Sequence, residues 1–219
     1  MADSRYLAQR SNVSVGPLAL QGILSVPDKP RGVVVFSHGS GSGRNSPRNQ
    51  HVAAALHAAG FSTLLLDLLS DDEASARANV FDIALLSERV LDAVRWVNRD
   101  PRTEQKPVGL FGASTGAAAA LVAAAEMPDR ISAVVSRGGR PDLAKEALVK
   151  VRAPTLLIVG GADHGVVELN VDALEKLNCV KRLEIVPDAT HLFEEAGTLD
   201  KVVDVATKWF KTHLIKRAA

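Results

Sequence analysis

Three residue types placed far apart in the chain, Ser114, Asp163 and His191, have the identity and order needed for nucleophilic acyl transfer. Ser114 stands in Gly112-Ala113-Ser114-Thr115-Gly116, a G-x-S-x-G pattern. A lone serine hydroxyl is a weak nucleophile at neutral pH, so it needs a base within hydrogen-bond reach and a third group to hold that base in one tautomer. Asp163 follows Gly160-Gly161-Ala162, and His191 follows Pro187-Asp188-Ala189-Thr190. Glycines two residues before and after Ser114 fit a sharp strand-to-helix turn with the hydroxyl at its tip. The N–H of Thr115, at the start of the following helix, is then aimed at the oxyanion that forms during attack.

A second oxyanion donor is expected from His38-Gly39-Ser40-Gly41-Ser42-Gly43, where glycines let a backbone amide face a substrate. Ser40 N–H is the first choice and Gly41 N–H the second. The run lacks the Gly-Lys-Ser/Thr ending of a phosphate loop and the spacing of a dinucleotide fold, which argues against nucleotides. Arg44 and Arg48 follow this loop, and Arg137 follows another strand. Arg137, helped by Arg44 or Arg48, is expected to contact an anionic or strongly polar part of the substrate. The competing expectation pairs these arginines with Asp71, Asp72 or Glu73.

Other residues compete for the triad roles. His164 is adjacent in sequence to Asp163 and poorly placed to point the same way. Asp142 is the fallback acid, with a helix cap as its plain role. His51 and His57, six residues apart on a helix, fall on different faces and do not suggest a shared metal. His213 is expected to be an exposed residue of the last helix.

The elements that would position these residues alternate. Short apolar runs at Val33–Ser37, Thr63–Asp67, Val108–Phe111, Ile131–Val135, Thr155–Val159 and Leu183–Val186 read as strands of a mostly parallel sheet. Asn12–Val15 and Leu18–Val26, around Gly16-Pro17, read as an antiparallel hairpin at its edge, giving about eight strands. Helical period marks Gln50–Ala59, Val80–Asn98, Gly116–Glu126, Val167–Leu177 and Leu199–His213. In the second of these, Phe81, Leu85, Leu86, Val90, Val94 and Val97 form the expected buried stripe. Asp71-Asp72-Glu73 reads as a solvated loop. The stretch from Ser136 to Arg152 has room for one helix and not for a cap domain.

On His38-Gly39-Ser40-Gly41, Gly112-Ala113-Ser114-Thr115-Gly116, Gly160-Gly161-Ala162-Asp163 and Ala189-Thr190-His191, the chain resembles the α/β-hydrolase superfamily, and within it the small dienelactone-hydrolase-like branch. The resemblance implies an α/β-hydrolase fold: a mostly parallel sheet of about eight strands with helices on both faces and no cap domain. It also implies a hydrolase acting on ester-type bonds. The branch's namesakes carry a cysteine nucleophile, whereas this elbow carries Ser114 and the only cysteine is Cys179. A serine triad is more similar to a carboxylesterase. Thioester, lactone or amide cleavage would use the same three residues, and a hydrolase-like binding module with little turnover is the alternative of another class.

Composition sets the remaining bounds. With 219 residues, 47% hydrophobic and 23% charged, one globular domain over 1–219 is expected. A net charge of +1 gives no field for nucleic acid or an anionic membrane. Met1-Ala2-Asp3-Ser4-Arg5 lacks the pattern of a secretory signal, and one cysteine allows no internal disulfide, so a cytoplasmic location is expected. The chemistry calls for no metal or cofactor, and the partner is a small-molecule ester.

Overall fold

The computed structural model describes residues 9–214, so the N-terminal stretch Met1–Arg5 lies outside the described residues. Eight strands form one sheet: β1 Gln9–Val15, β2 Leu20–Val26, β3 Val33–Ser37, β4 Ser62–Leu66, β5 Val108–Ala113, β6 Ile131–Arg137, β7 Thr155–Gly160 and β8 Lys181–Val186. Their spatial order is β1-β2-β4-β3-β5-β6-β7-β8. β2 runs antiparallel to both β1 and β4, and the other pairs are parallel. β3 through β7 are buried at every position, which is why they read as continuous apolar runs instead of alternating ones.

Among the described residues seven α-helices flank the sheet: α1 Pro47–Ala58, α2 Asp71–Ser75, α3 Arg77–Val80, α4 Ile83–Val97, α5 Thr115–Glu126, α6 His164–Lys176 and α7 Thr198–His213. Leu86, Val90 and Val94 of α4, with the alanines of α5 and Ala173 of α6, cover one face. Val52 and Leu56 of α1, with Val202, Ala206 and Phe210 of α7, cover the other. α5 is buried nearly all round, and its run of alanines lets it lie close against β3 and β5. Pro141–Lys150 holds two short 3-10 pieces separated by a kink at Lys145, where φ is 48°, in place of the one helix expected between Ser136 and Arg152. No helix among the described residues is long and apolar enough to cross a membrane.

Two expectations need correction. The predicted helix Val80–Asn98 begins only at Ile83, because the Asp82 side chain accepts the Leu85 N–H at 3.0 Å and caps it there. Phe81, expected in the buried stripe, therefore lies between helices and is 50% exposed. Asp71-Asp72-Glu73 is not a loop but the first turn of α2, where Ser70 and Glu73 cap each other reciprocally. Three carboxylates there complement the positive end of the helix.

Candidate active site

The chain turns left from β3 to β4 and then returns to the right of β3 with β5. Such a switch opens a crevice at the carboxyl ends of β3 and β5, where α/β sheets hold ligands. The His38–Gly43 loop leaves β3 at this crevice, and Ser114 sits one residue past the end of β5.

Ser114 has φ 51° and ψ −124°, a conformation that costs a non-glycine residue roughly 1–3 kcal/mol. The surrounding backbone enforces it. A Cβ at Gly116 would lie 2.2 Å from Ser37 O and 2.3 Å from His38 O, and one at Gly112 would lie 2.4 Å from Ala117 Cα. Both glycines thus let strand and helix backbones meet where no side chain fits. The Ser114 carbonyl accepts the N–H groups of Ala117 and Arg140, at 3.1 Å each, which holds the turn against both α5 and the chain beyond β6.

Asp163 and His191 reach the same edge from β7 and β8. Gly161 N–H donates to Val186 O at 2.8 Å and Ala162 N–H to Ala189 O at 3.0 Å, stitching their two loops together. His191 Nδ1 and Asp163 Oδ2 are 2.7 Å apart. A carboxylate can only accept, so Nδ1 is the donor in this contact and Nε2 is the ring nitrogen left without Asp163 as a partner. The His191 loop also crosses back over β7 toward Ser114: a Cβ at Gly138, beyond β6, would lie 2.9 Å from His191 O and 3.7 Å from His191 Nδ1. β6 in turn is next to β5, with Ala113 paired to Arg137. The structure therefore brings Asp163 and His191 into direct contact and sets them beside the strand that flanks Ser114. No hydrogen bond joins Ser114 Oγ to His191, as is common before a substrate tightens such a site.

Ser40 and Thr115, the residues expected to supply the oxyanion amides, line one cavity of about 220 Å³. Thr115 is the first residue of α5, so its N–H has no intrahelical acceptor. Gly39 brings the loop against Ser114, since a Cβ there would fall 2.7 Å from Ser114 Cβ. Two residues given no role in the sequence hold this loop. Leu68 N–H donates to His38 Nε2 at 3.0 Å, which puts the His38 proton on Nδ1, facing Gly39 O at 2.8 Å. Burial holds His38 below the ordinary imidazole range, against the opposing pull of the Gly39 carbonyl and Asp67. Asp67 accepts the Arg44 N–H at 2.7 Å and its guanidinium as well. An acid as the last residue of the expected strand Thr63–Asp67 is the only sequence signal for Asp67.

The arginines depart from expectation. None pairs with Asp71, Asp72 or Glu73: Arg44 goes to Asp67, Arg48 to Glu194 at 3.2 Å, and Glu73 is taken by Arg89 at 2.8 Å. Arg137 is 6% exposed and does not line the cavity beside Ser40 and Thr115. Its guanidinium lies 5.9 Å from the Phe193 ring centroid and 3.4 Å from Asn49 Oδ1, and its Nε has no partner. Burial and the nearby Arg48 charge lower its pKa to about 10. It points into the face covered by α1 because β6 places residues 133, 135 and 137 on that side.

The competing triad candidates have other occupations. Asp142 pairs with Arg140 at 2.8 Å. His164 is exposed, His51 meets Asp200 at 2.8 Å, and His57 meets Thr63 at 2.6 Å. His213 is half-buried against Trp209, with ring centroids 4.2 Å apart, and not simply exposed. Cys179 Sγ lies 3.7 Å from Thr155 Oγ1 at the start of β7, the opposite sheet edge from Asp163.

The model of the dienelactone hydrolase family matches residues 20–213. The chain belongs to the dienelactone hydrolase family. It is similar to the crystal structure of a dienelactone hydrolase from Anabaena variabilis, with 52% identity and a TM-score of 0.91 over 95% of this chain and 99% of that one. Est1E from Butyrivibrio proteoclasticus shares the fold, with a TM-score of 0.78 at 16% identity over 93% of this chain and 98% of its own. A Mycobacterium tuberculosis protein named "Putative phosphoribosyl transferase" is 55% identical over 213 residues, 97% of this chain and 48% of its own length. This chain thus spans about half the length of that relative. The stretch they share includes nearly all that the dienelactone hydrolase family model spans.

Proposed function

We propose that this dienelactone hydrolase family member is a serine hydrolase of carboxylesterase type, working through an acyl-enzyme on small esters. The observation that carries the reading is the pairing of a strained Ser114 elbow with a His191 ring already fixed by Asp163 at the same sheet edge. Ser114 Oγ attacks the ester carbonyl carbon as its proton passes to His191 Nε2. The carbonyl oxygen becomes an oxyanion between the N–H groups of Ser40 and Thr115. Collapse expels the alcohol, which takes its proton from His191, and leaves an ester on Ser114. Water, deprotonated by His191, then attacks that ester and frees the acid. Asp163 stays ionised and favours the imidazolium that forms in each half.

The position of Cys179 at the far edge supports serine over cysteine as nucleophile. The phosphoribosyl transferase name belongs to a protein twice as long and is not carried over to this chain. The test is p-nitrophenyl acetate hydrolysis together with labelling by a serine-directed phosphonate. Wild type should show a burst and covalent label, and Ser114→Ala neither. Full turnover in Ser114→Ala would overturn the assignment.

A further inference from the structure

A carbonyl held between Ser40 N–H and Thr115 N–H stands at the wall of the cavity of about 220 Å³ that both residues line. Its carbon carries two other groups besides the attacking serine. The alkoxy oxygen must face His191 to receive a proton, and neither His191 nor Ser114 lines the cavity, which adjoins the elbow through Gly39 and Thr115. The acyl chain is the substituent left to enter it.

The cavity walls say what that chain is. Leu69, Ala74, Val80 and Leu86 supply an apolar surface, from β4's trailing loop, α2, α3 and α4. Asp67 and Asp71 add two carboxylates, and no lysine or arginine lines the space. Asp67 already holds Arg44, while Asp71 makes no ion pair among the described residues. Arg77 on α3 is exposed and outside the lining. A carboxylate at the end of an acyl chain would meet like charge there without a cation to offset it. At about 30 Å³ for each water-sized group, the volume admits roughly seven such groups.

We propose that this cavity is the acyl subsite and selects short, neutral acyl groups of up to about six carbons, with Ala74 and Val80 setting the length and Asp71 excluding anionic tails. The inference rests on the acyl-transfer reading given above. It is tested with p-nitrophenyl acetate, butyrate, hexanoate and decanoate, and with the adipate monoester as the carboxylate-tipped counterpart of hexanoate. For wild type, kcat/KM should peak at butyrate or hexanoate and fall about tenfold or more for decanoate and for adipate. Ala74→Trp, at an exposed wall position, should move the peak to acetate, and Val80→Ala should move it toward longer chains. Asp71→Asn should raise activity on adipate several-fold relative to hexanoate. The same chain-length profile in wild type, Ala74→Trp and Val80→Ala, or adipate cleaved as well as hexanoate by wild type, would overturn the subsite. Labelling of Ser114 by an ethyl fluorophosphonate separates the two levels. Labelling with a flat profile sinks the subsite alone, whereas no labelling and no turnover sinks the acyl-transfer reading with it.

Discussion

Asp67, the residue after β4, holds Arg44 twice: Oδ1 accepts its backbone N–H at 2.7 Å and Oδ2 accepts its guanidinium. The next residue, Leu68, bonds His38 at the other end of the same loop. The His38–Gly43 loop is thus pinned at both ends by two consecutive residues of a neighbouring strand's exit, with Ser40 between the pins.

Asp67→Ala removes one of these pins without touching the nucleophile. Hydrogen bonds to a charged group contribute about 1.5–3 kcal/mol, or roughly 10–100-fold in rate if the loss falls on the transition state. The expected result is a kcat lower by that factor with KM changed less than about threefold. Steady-state kinetics on butyrate esters checks it, and an unaltered kcat would refute the role.

Asp163→Asn should keep the fold and lose the tautomer. An amide at this position can donate to Nδ1, which places the imidazole proton on Nε2, where it cannot act as base. A fall in kcat of about 10³–10⁴-fold is expected, with a melting temperature near that of wild type. Activity within tenfold of wild type would assign the acid elsewhere, and Asp142 would be the next residue to test.

Arg137 is a buried cation with weak contacts. Its pKa of about 10 lies below the ordinary guanidinium value, so the unfolded state binds more protons between those two pH values and stability climbs with pH across that window. At neutral pH both states are charged and the full penalty applies, on the order of 3 kcal/mol. The Phe193 ring and one long hydrogen bond are the contacts the guanidinium has against burial. Arg137→Met should therefore melt at or above the wild-type temperature. A drop of more than about 4 °C would mean that Phe193 and Asn49 hold the guanidinium strongly enough to outweigh its burial.

His38 makes the loop sensitive to acid. Its pKa is lowered in the folded protein, so the unfolded chain takes up the proton first as pH falls through about 6.5. Stability is lost from there down to the folded value and levels off below it. His57 and His213, also lowered by burial, act in the same direction. Urea unfolding from pH 7.5 to 5 should show a shallower loss in His38→Gln than in wild type. Parallel curves would remove His38 from the acid response.

Much of this architecture is readable from local pattern. Apolar runs such as Val33–Ser37 and Thr155–Gly160 mark parallel strands because burial on both faces removes polar alternation. Ser114, Asp163 and His191 could be picked out because each follows a strand, and strands of one parallel sheet end at one edge. The α4 boundary was misread because the apolar period continues back to Phe81, while the Asp82 cap, a single hydrogen bond, ends the helix first.

What local pattern determines is which segments are strands and helices and which side chains arrive at the sheet's carboxyl edge, because period and turn chemistry act over a few residues. Only the tertiary structure decided where long side chains go once there. Arg137 turned under the α1 face instead of toward the cavity, Arg44 was claimed by Asp67 and not by the Asp71-Asp72-Glu73 run, and His38 found its partner thirty residues away. Each of these outcomes depends on distances between segments remote in sequence, and a one-residue change of strand facing reverses it.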